Sequence, residues 1–211
     1  MFRWMIIGGV AAAAVAAIAT AGCLMHNATD SETTPTRPGS DDKKNPFAVK
    51  WTDAPLAKLS AASIKVCKST GVLTVFEKGE AVKSYHVITG ENSGDKEKEG
   101  DKRTPEGVFH VVYRNPKSKY VLSLGLDYPN REDADRGLRA GLITKKQHDA
   151  IVTAVTRGQQ PPWKTALGGE IMIHGAKGNR TGTLGCVSMD DNAIRELYPK
   201  IGLGVNVQIL P

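Results

Sequence analysis

A strand-like run, Ile171-Met172-Ile173, ends on His174-Gly175. After a glycine-containing loop the chain reads Thr183-Leu184-Gly185-Cys186-Val187-Ser188-Met189. A histidine delivered by a strand and a cysteine that follows a glycine together suit acyl transfer through a thiol. That chemistry needs a thiolate, an imidazole near enough to take or hold its proton, and amide donors for the developing oxyanion. Gly185 permits a tight turn and a close backbone approach beside Cys186. Spacing alone leaves a blander reading open, because cysteine is commonly a small buried hydrophobe and histidine is often structural. Cys67, in the Ile64–Cys67 run, fits a core role. A disulfide between Cys67 and Cys186 is the alternative in an oxidising compartment, and it would disable the nucleophile.

The elements that must hold these groups are mostly short β-strands separated by Gly, Pro and Asn. Val72–Phe76, a Lys78-Gly79 turn and Ala81–Thr89 predict a hairpin. Further strands are expected at Val108–Tyr113, Tyr120–Leu124, Glu170–His174 and Val205–Leu210. Residues 131–169 break the β rhythm as a helical insertion. Thr144 with Gln147 is a capping-box pattern. His148, Ile151, Val152 and Val155 then form an apolar stripe that ends at Gly158 and Pro161-Pro162. His148 is expected to pack on that stripe, and Asn130 opens a shorter helix over Arg131–Arg139. Between Glu91 and Pro105 the alternating charges read as a solvated loop, although its end, Gly100-Asp101-Lys102-Arg103-Thr104-Pro105-Glu106-Gly107, has a specific texture.

Composition excludes several classes. With 211 residues, 40% hydrophobic and 24% charged, the chain is long enough for one good core and too short for two large domains. Three cysteines without a C-x-x-C pair give no support to a disulfide scaffold, a structural zinc site or a thioredoxin-type centre. No metal or cofactor is expected, since phosphate-loop and dinucleotide fingerprints are also missing. The net charge of +6 suits an anionic partner, but aromatic residues do not interleave with Lys and Arg as in nucleic-acid modules.

The first residues set the compartment. Ile6–Ala21 is apolar and small-residue-rich, with Arg3 the one preceding charge. Residues 1–22 therefore read as an export signal. Ala21-Gly22-Cys23 resembles a bacterial lipobox, with Cys23 as the lipid attachment site. Plain secretion and an uncleaved anchor helix from Trp4 to Met25 are the alternatives. Residues 23–55 are expected to form a flexible linker, and 27–46 carry three prolines and no large apolar side chain. As a random coil those 20 residues would span roughly 25 Å, enough to hold a membrane-tethered domain in the periplasm or cell envelope.

Two blocks together, Gly94-Asp95-Lys96 with Gly100–Phe109 and the His174-to-Met189 segment, resemble the bacterial L,D-transpeptidases of the YkuD type. The resemblance covers roughly residues 64–211. It implies a mainly β, sandwich-like α+β catalytic domain, set here at residues 56–211, with a helix packed on it. It also implies Cys186 as nucleophile, His174 as its proton acceptor and donor, and the Gly175 carbonyl as the group that orients the imidazole. Gly185, Thr183 and Ser188 fall in the oxyanion and substrate region. Ser188 stands where many members carry Arg, and Leu184 where many carry a polar residue. The implied substrates are peptidoglycan stem peptides. The implied outcome is 3→3 cross-linking, or attachment of an outer-membrane protein to the wall, in the service of cell-wall organisation and cell shape. An amidase or L,D-carboxypeptidase using the same pair is the near alternative. A wall-binding module with a dead site and a thiol redox protein are the remoter ones.

Overall fold

The computed structural model describes residues 48–178 and 181–211. The export signal, Cys23 and most of the linker lie outside the described residues. Eight strands are present: β1 (Ala62–Cys67), β2 (Val72–Glu77), β3 (Glu80–Ile88), β4 (Gly107–Ser118), β5 (Val121–Leu126), β6 (Met172–Gly175), β7 (Val187–Met189) and β8 (Asn206–Leu210). They close into one barrel in the order β1-β2-β3-β7-β6-β5-β4-β8. Neighbours run antiparallel except at two seams, β1 with β8 and β6 with β7.

The fold is mainly β with helices, as expected, and the sandwich-like character survives inside a closed sheet. β3 pairs with β2 over Glu80–His86 and then with β7 at Val87 and Ile88. β4 pairs with β8 over Gly107–His110 and with β5 beyond Val111. Strands that change partners in this way form the corners between facing sheets. The core is built from alternating inward residues such as Ile64, Val66, Phe109, Leu124, Ile173 and Val187, all fully buried. Each contributes about 1.5–3 kcal/mol of burial.

β2 is buried from Val72 through Phe76 rather than on alternate residues. A strap, residues 48–60, is hydrogen-bonded to the neighbouring strand β3, and its residues 48–55 fall in the stretch assigned to the linker. Lys50 exchanges hydrogen bonds with Ser84: its amide donates to Ser84 Oγ and its carbonyl accepts from the Ser84 amide, both at 2.8 Å. Thr74 meets the same Ser84 hydroxyl at 2.9 Å. The Leu56 amide donates to Glu196, which also receives Lys83 and the Tyr85 hydroxyl.

Helices α1 (Arg131–Arg139) and α2 (Lys145–Thr156) form the insertion, each opened by a complete capping box, at Asn130 and at Thr144. They share a small apolar cluster of Ala134, Ile143, Ile151 and Leu167, separate from the barrel core. A third helix, α3 (Asp191–Leu197), follows β7. His148 does more than pack. Its Nε2 meets Asp135 of α1 at 2.6 Å and its Nδ1 meets Asp149 at 2.9 Å. These hydrogen bonds raise its proton affinity above the ordinary imidazole value of 6.5 and hold Asp135 below 3.8, while Asp149 is held below 3.8 first by Lys145 and then by His148.

The sign of the pH effect follows. A raised histidine stabilises while it is charged, so its contribution is complete below 6.5 and lost as pH climbs through the raised value. The lowered carboxylates give theirs above 3.8 and lose it in acid. Thermal melts of His148→Gln should therefore fall below the parent by a few degrees near pH 5–6, and the gap should close on the alkaline side.

Candidate active site

The Glu91–Pro105 loop is exposed along much of its length, as its charges suggested, but it is organised around an internal ion pair. Lys96 is buried and pairs at 2.8 Å with the largely covered carboxylate of Asp101. Asp101 also accepts from the amides of Glu97, Lys98 and Arg103. Asp95 accepts from the Glu106 amide at 2.8 Å and from Arg136 of α1 at 2.9 Å. Arg136 reaches the Lys96 carbonyl as well, so the insertion is docked onto this loop. The alternating signs are thus an internal network, and its product is a fixed Thr104.

Thr104 links the loop to the cysteine. Its hydroxyl accepts from the Gly90 amide at 2.8 Å and donates to the Cys186 carbonyl at 3.4 Å. Thr183 donates to the same carbonyl at 2.6 Å and accepts from the Gly185 amide at 3.1 Å. Thr183 is itself stitched to the end of β3, donating to the Thr89 carbonyl and accepting from the Glu91 amide. Gly185 sits at φ +137°, and a Cβ there would lie 2.8 Å from the Arg103 carbonyl oxygen and 3.1 Å from Ile171. Glycine is required at this point because Arg103 packs against its backbone.

His174 and Ser188 are register partners on the parallel strands β6 and β7. Ile173 and Val187 point into the barrel core, so His174, Ser188 and, two residues before Ser188, Cys186 share the opposite face. The His174 Nδ1 lies 2.7 Å from the Gly175 carbonyl. A carbonyl only accepts, so Nδ1 carries the proton and Nε2 is left as the base. Tyr120 stacks on the imidazole with ring centroids 4.4 Å apart. The Gly175 amide donates to the Tyr120 carbonyl at 3.0 Å. The Ser188 hydroxyl is buried and has no hydrogen-bond partner among the described residues.

The partly buried Cys186 thiol donates to the Glu170 carbonyl at 3.3 Å. Glu170 holds a left-handed φ of +57°, a strained setting for a non-glycine residue beside the sulfur. Burial pushes the thiol up to about 11, with the Glu170 charge adding to the rise while the Met172 amide, Lys96 and Lys119 oppose it. Burial also lowers His174 below 6.5, against the pull of the Gly175 carbonyl, and Lys119 adds to the lowering. Both effects favour a neutral thiol beside a neutral imidazole. Alkylation of Cys186 by iodoacetamide should therefore keep accelerating as pH rises towards about 11. A plateau below the ordinary thiol value of 9.0 would instead reveal a preformed thiolate.

Cys67 is a buried thiol whose sulfur lies 3.4 Å from both Ser69 Oγ and the Pro211 carbonyl oxygen, and no disulfide joins it to Cys186. Among the described residues no group of His, Cys, Asp and Glu could hold a metal ion. The profile of the L,D-transpeptidase catalytic domain (YkuD) matches residues 61–209, which spans every strand of the barrel.

The chain belongs to the L,D-transpeptidase family.

No curated protein sequence matches it. Solved structures similar to it include the helical cell shape determining protein Pgp2 from Campylobacter jejuni, as its K307A mutant. That chain is 24% identical, with a TM-score of 0.49 over 74% of this chain and 48% of that one. Bd1075 from Bdellovibrio bacteriovorus is 23% identical, with a TM-score of 0.48 over 72% and 48%. An L,D-transpeptidase from Xylanimonas cellulosilytica is 16% identical, with a TM-score of 0.43 over 75% and 64%. This L,D-transpeptidase chain thus spans about half the length of the first two.

Within this L,D-transpeptidase domain the residues singled out from sequence lie on β6, on β7 and in the turn that leads into β7. The Gly185 amide donates to the Thr183 hydroxyl, and that hydroxyl to the Cys186 carbonyl, so both shape the turn. Tyr120 and Glu170 enter the sequence reading only as strand ends, and Lys119 not at all. Thr104 was quoted in a motif but not connected to the cysteine.

Proposed function

We propose that this protein is a cysteine acyltransferase acting on peptidoglycan stem peptides. The observation that carries the reading is the state of His174, whose Nδ1–H is held by the Gly175 carbonyl so that Nε2 is the nitrogen left as a base, on a strand that pairs with the one following Cys186. The Cys186 proton passes to Nε2 as the sulfur adds to the carbonyl of the third, diamino-acid residue. The oxyanion is stabilised by backbone donors, of which the Cys186 amide is the one left at a turn where the Gly185 amide is engaged. The C–N bond to the terminal D-Ala then breaks, the departing amine takes the proton from His174, and a thioester remains. An amine acceptor from a second stem or a wall-linked protein regenerates the thiol and forms a new amide. Water as acceptor gives hydrolysis instead.

Neutral partners favour this sequence of steps, because general-base transfer at the moment of attack needs no charged pair in the resting state. The unpartnered Ser188 hydroxyl supplies a hydrogen-bonding group to whatever enters beside His174. The export signal, lipidation at Cys23 and a periplasmic site of action are part of the same proposal. They would place the domain within reach of its polymer.

The test is to incubate the protein with a stem tetrapeptide and read the products by mass spectrometry. Loss of D-Ala with dimer formation supports transpeptidation, and loss with free tripeptide supports carboxypeptidation. Cleavage of a protein-linked stem, with the tetrapeptide untouched, would replace both with the amidase reading.

A further inference from the structure

The tip between β4 and β5 consists of Lys119 and Tyr120, and the backbone leaving it is strained. Val121 has φ +73°, a region that β-branched residues avoid. Across it the Leu122 amide donates to the Tyr120 carbonyl at 2.9 Å, the pattern of the rarer, strained γ-turn. Conformations of this kind persist where their surroundings hold them, and they concentrate at ligand-handling sites. Here the turn sets the Tyr120 ring on His174 and places the Lys119 ammonium 5.1 Å from the centre of that ring.

Lys119 is exposed, and among the described residues no carboxylate lies within ion-pair distance of it. Lys68, Lys83, Lys96 and Lys102 each have such a partner. Lys96, the other cation whose charge reaches the thiol, is neutralised by Asp101. Through the Tyr120 ring Lys119 is one stacked side chain away from His174, and its charge bears on both His174 and Cys186. Meanwhile β7 offers no cation of its own, since the position two residues beyond the nucleophile is the neutral, buried Ser188. Among the described residues Lys119 is therefore a cation without a carboxylate partner, held over an aromatic ring that rests on the base.

We propose that Lys119 is the carboxylate receptor of this active site, binding a carboxylate of the donor peptide beside Cys186 and His174. The inference rests on the acyl-transfer reading. The carboxylate has two possible sources: the C-terminus of the leaving residue, and the side chain of the diamino acid where that residue is diaminopimelate.

The experiment compares the parent, Lys119→Met and Lys119→Arg on three tetrapeptides. The first has diaminopimelate and a free C-terminus, the second is its C-terminal amide, and the third has lysine in place of diaminopimelate. Lys119→Met should lower kcat/KM on the first peptide about tenfold, mainly through KM, and Lys119→Arg should restore most of it. The loss should vanish on whichever peptide lacks the bound carboxylate, which identifies the source. No loss on the first peptide overturns the proposal. So does an equal loss on all three, which would mean that Lys119 acts on the Cys-His pair itself. If the parent turns over none of the peptides, calorimetric binding to Cys186→Ala decides. Binding weakened by Lys119→Met keeps the receptor and discards the enzyme, whereas no binding, or binding indifferent to Lys119, discards the receptor too.

Discussion

Cys186→Ser is expected to lose stem-peptide turnover by about three orders of magnitude or more, while melting within about two degrees of the parent. The exchange keeps the shape of the side chain and its hydrogen bond, since a hydroxyl can donate to the Glu170 carbonyl as the thiol does. Nothing in the core is disturbed, because the sulfur lies on the face turned away from Ile173 and Val187. What changes is the nucleophile. Burial already holds the thiol up at about 11, and a hydroxyl in the same place is far harder to deprotonate by a histidine whose own affinity for protons is lowered. Mass spectrometry of the products and a circular-dichroism melt check the two halves. Retained turnover in a correctly folded variant would remove Cys186 from the reaction. Retained binding without turnover in both parent and variant would favour a wall-binding module.

The second large effect is expected at a residue with no side chain. Gly185→Ala should cut kcat/KM by roughly a hundredfold, as displacements near 1 Å at a reacting group do, and it should also lower the melting temperature. A Cβ at φ +137° is strained in itself, at about 1–3 kcal/mol, and here it would also meet a backbone oxygen, Arg103 O, at 2.8 Å. Relief requires Gly185 to move away from Arg103, and Cys186 moves with it. The Thr104 and Thr183 hydroxyls both grip the Cys186 carbonyl, so the shift pulls on two hydrogen bonds at once. A crystal structure of the variant would show the displaced sulfur. Parent-like activity would mean that the turn tolerates another path and that the close approach is not what aims the thiol.

How much of this was legible in the sequence depended on whether the cause was local. The capping boxes at Asn130 and Thr144 depend on residues three apart, and both helices stand where the pattern put them. The barrel strands read from alternating Val, Ile and Leu are present with shifted ends, as at β4, which runs on to Ser118. β7 was invisible because three residues, Val187–Met189, carry no period, and its existence depends on pairing with β3 and β6. His174 and Cys186 were legible as chemistry because their types are rare and their setting is glycine-rich. Tyr120 and Lys119 were not, because nothing in a sequence announces that a hairpin tip comes to rest on a histidine more than fifty residues away. The order inside the charged loop was hidden for a related reason. Alternating signs look the same whether the partners are water or each other, and only the fold reveals that Asp101 gathers three backbone amides.

β1 and β8 lie side by side in the barrel, Ile64 beside Val207 and Cys67 beside Leu210. The barrel therefore cannot close until β8 has been synthesised and, if the chain is exported, delivered across the membrane. Until then β1 and β4 both present open edges, and the loop that carries Cys186 has no rigid ring to hold it. A chain cut short before Asn206 would be left without the strand that joins those edges. The ring that backs the β6–β7 seam thus depends on Asn206–Leu210, a strand that touches neither His174 nor Cys186.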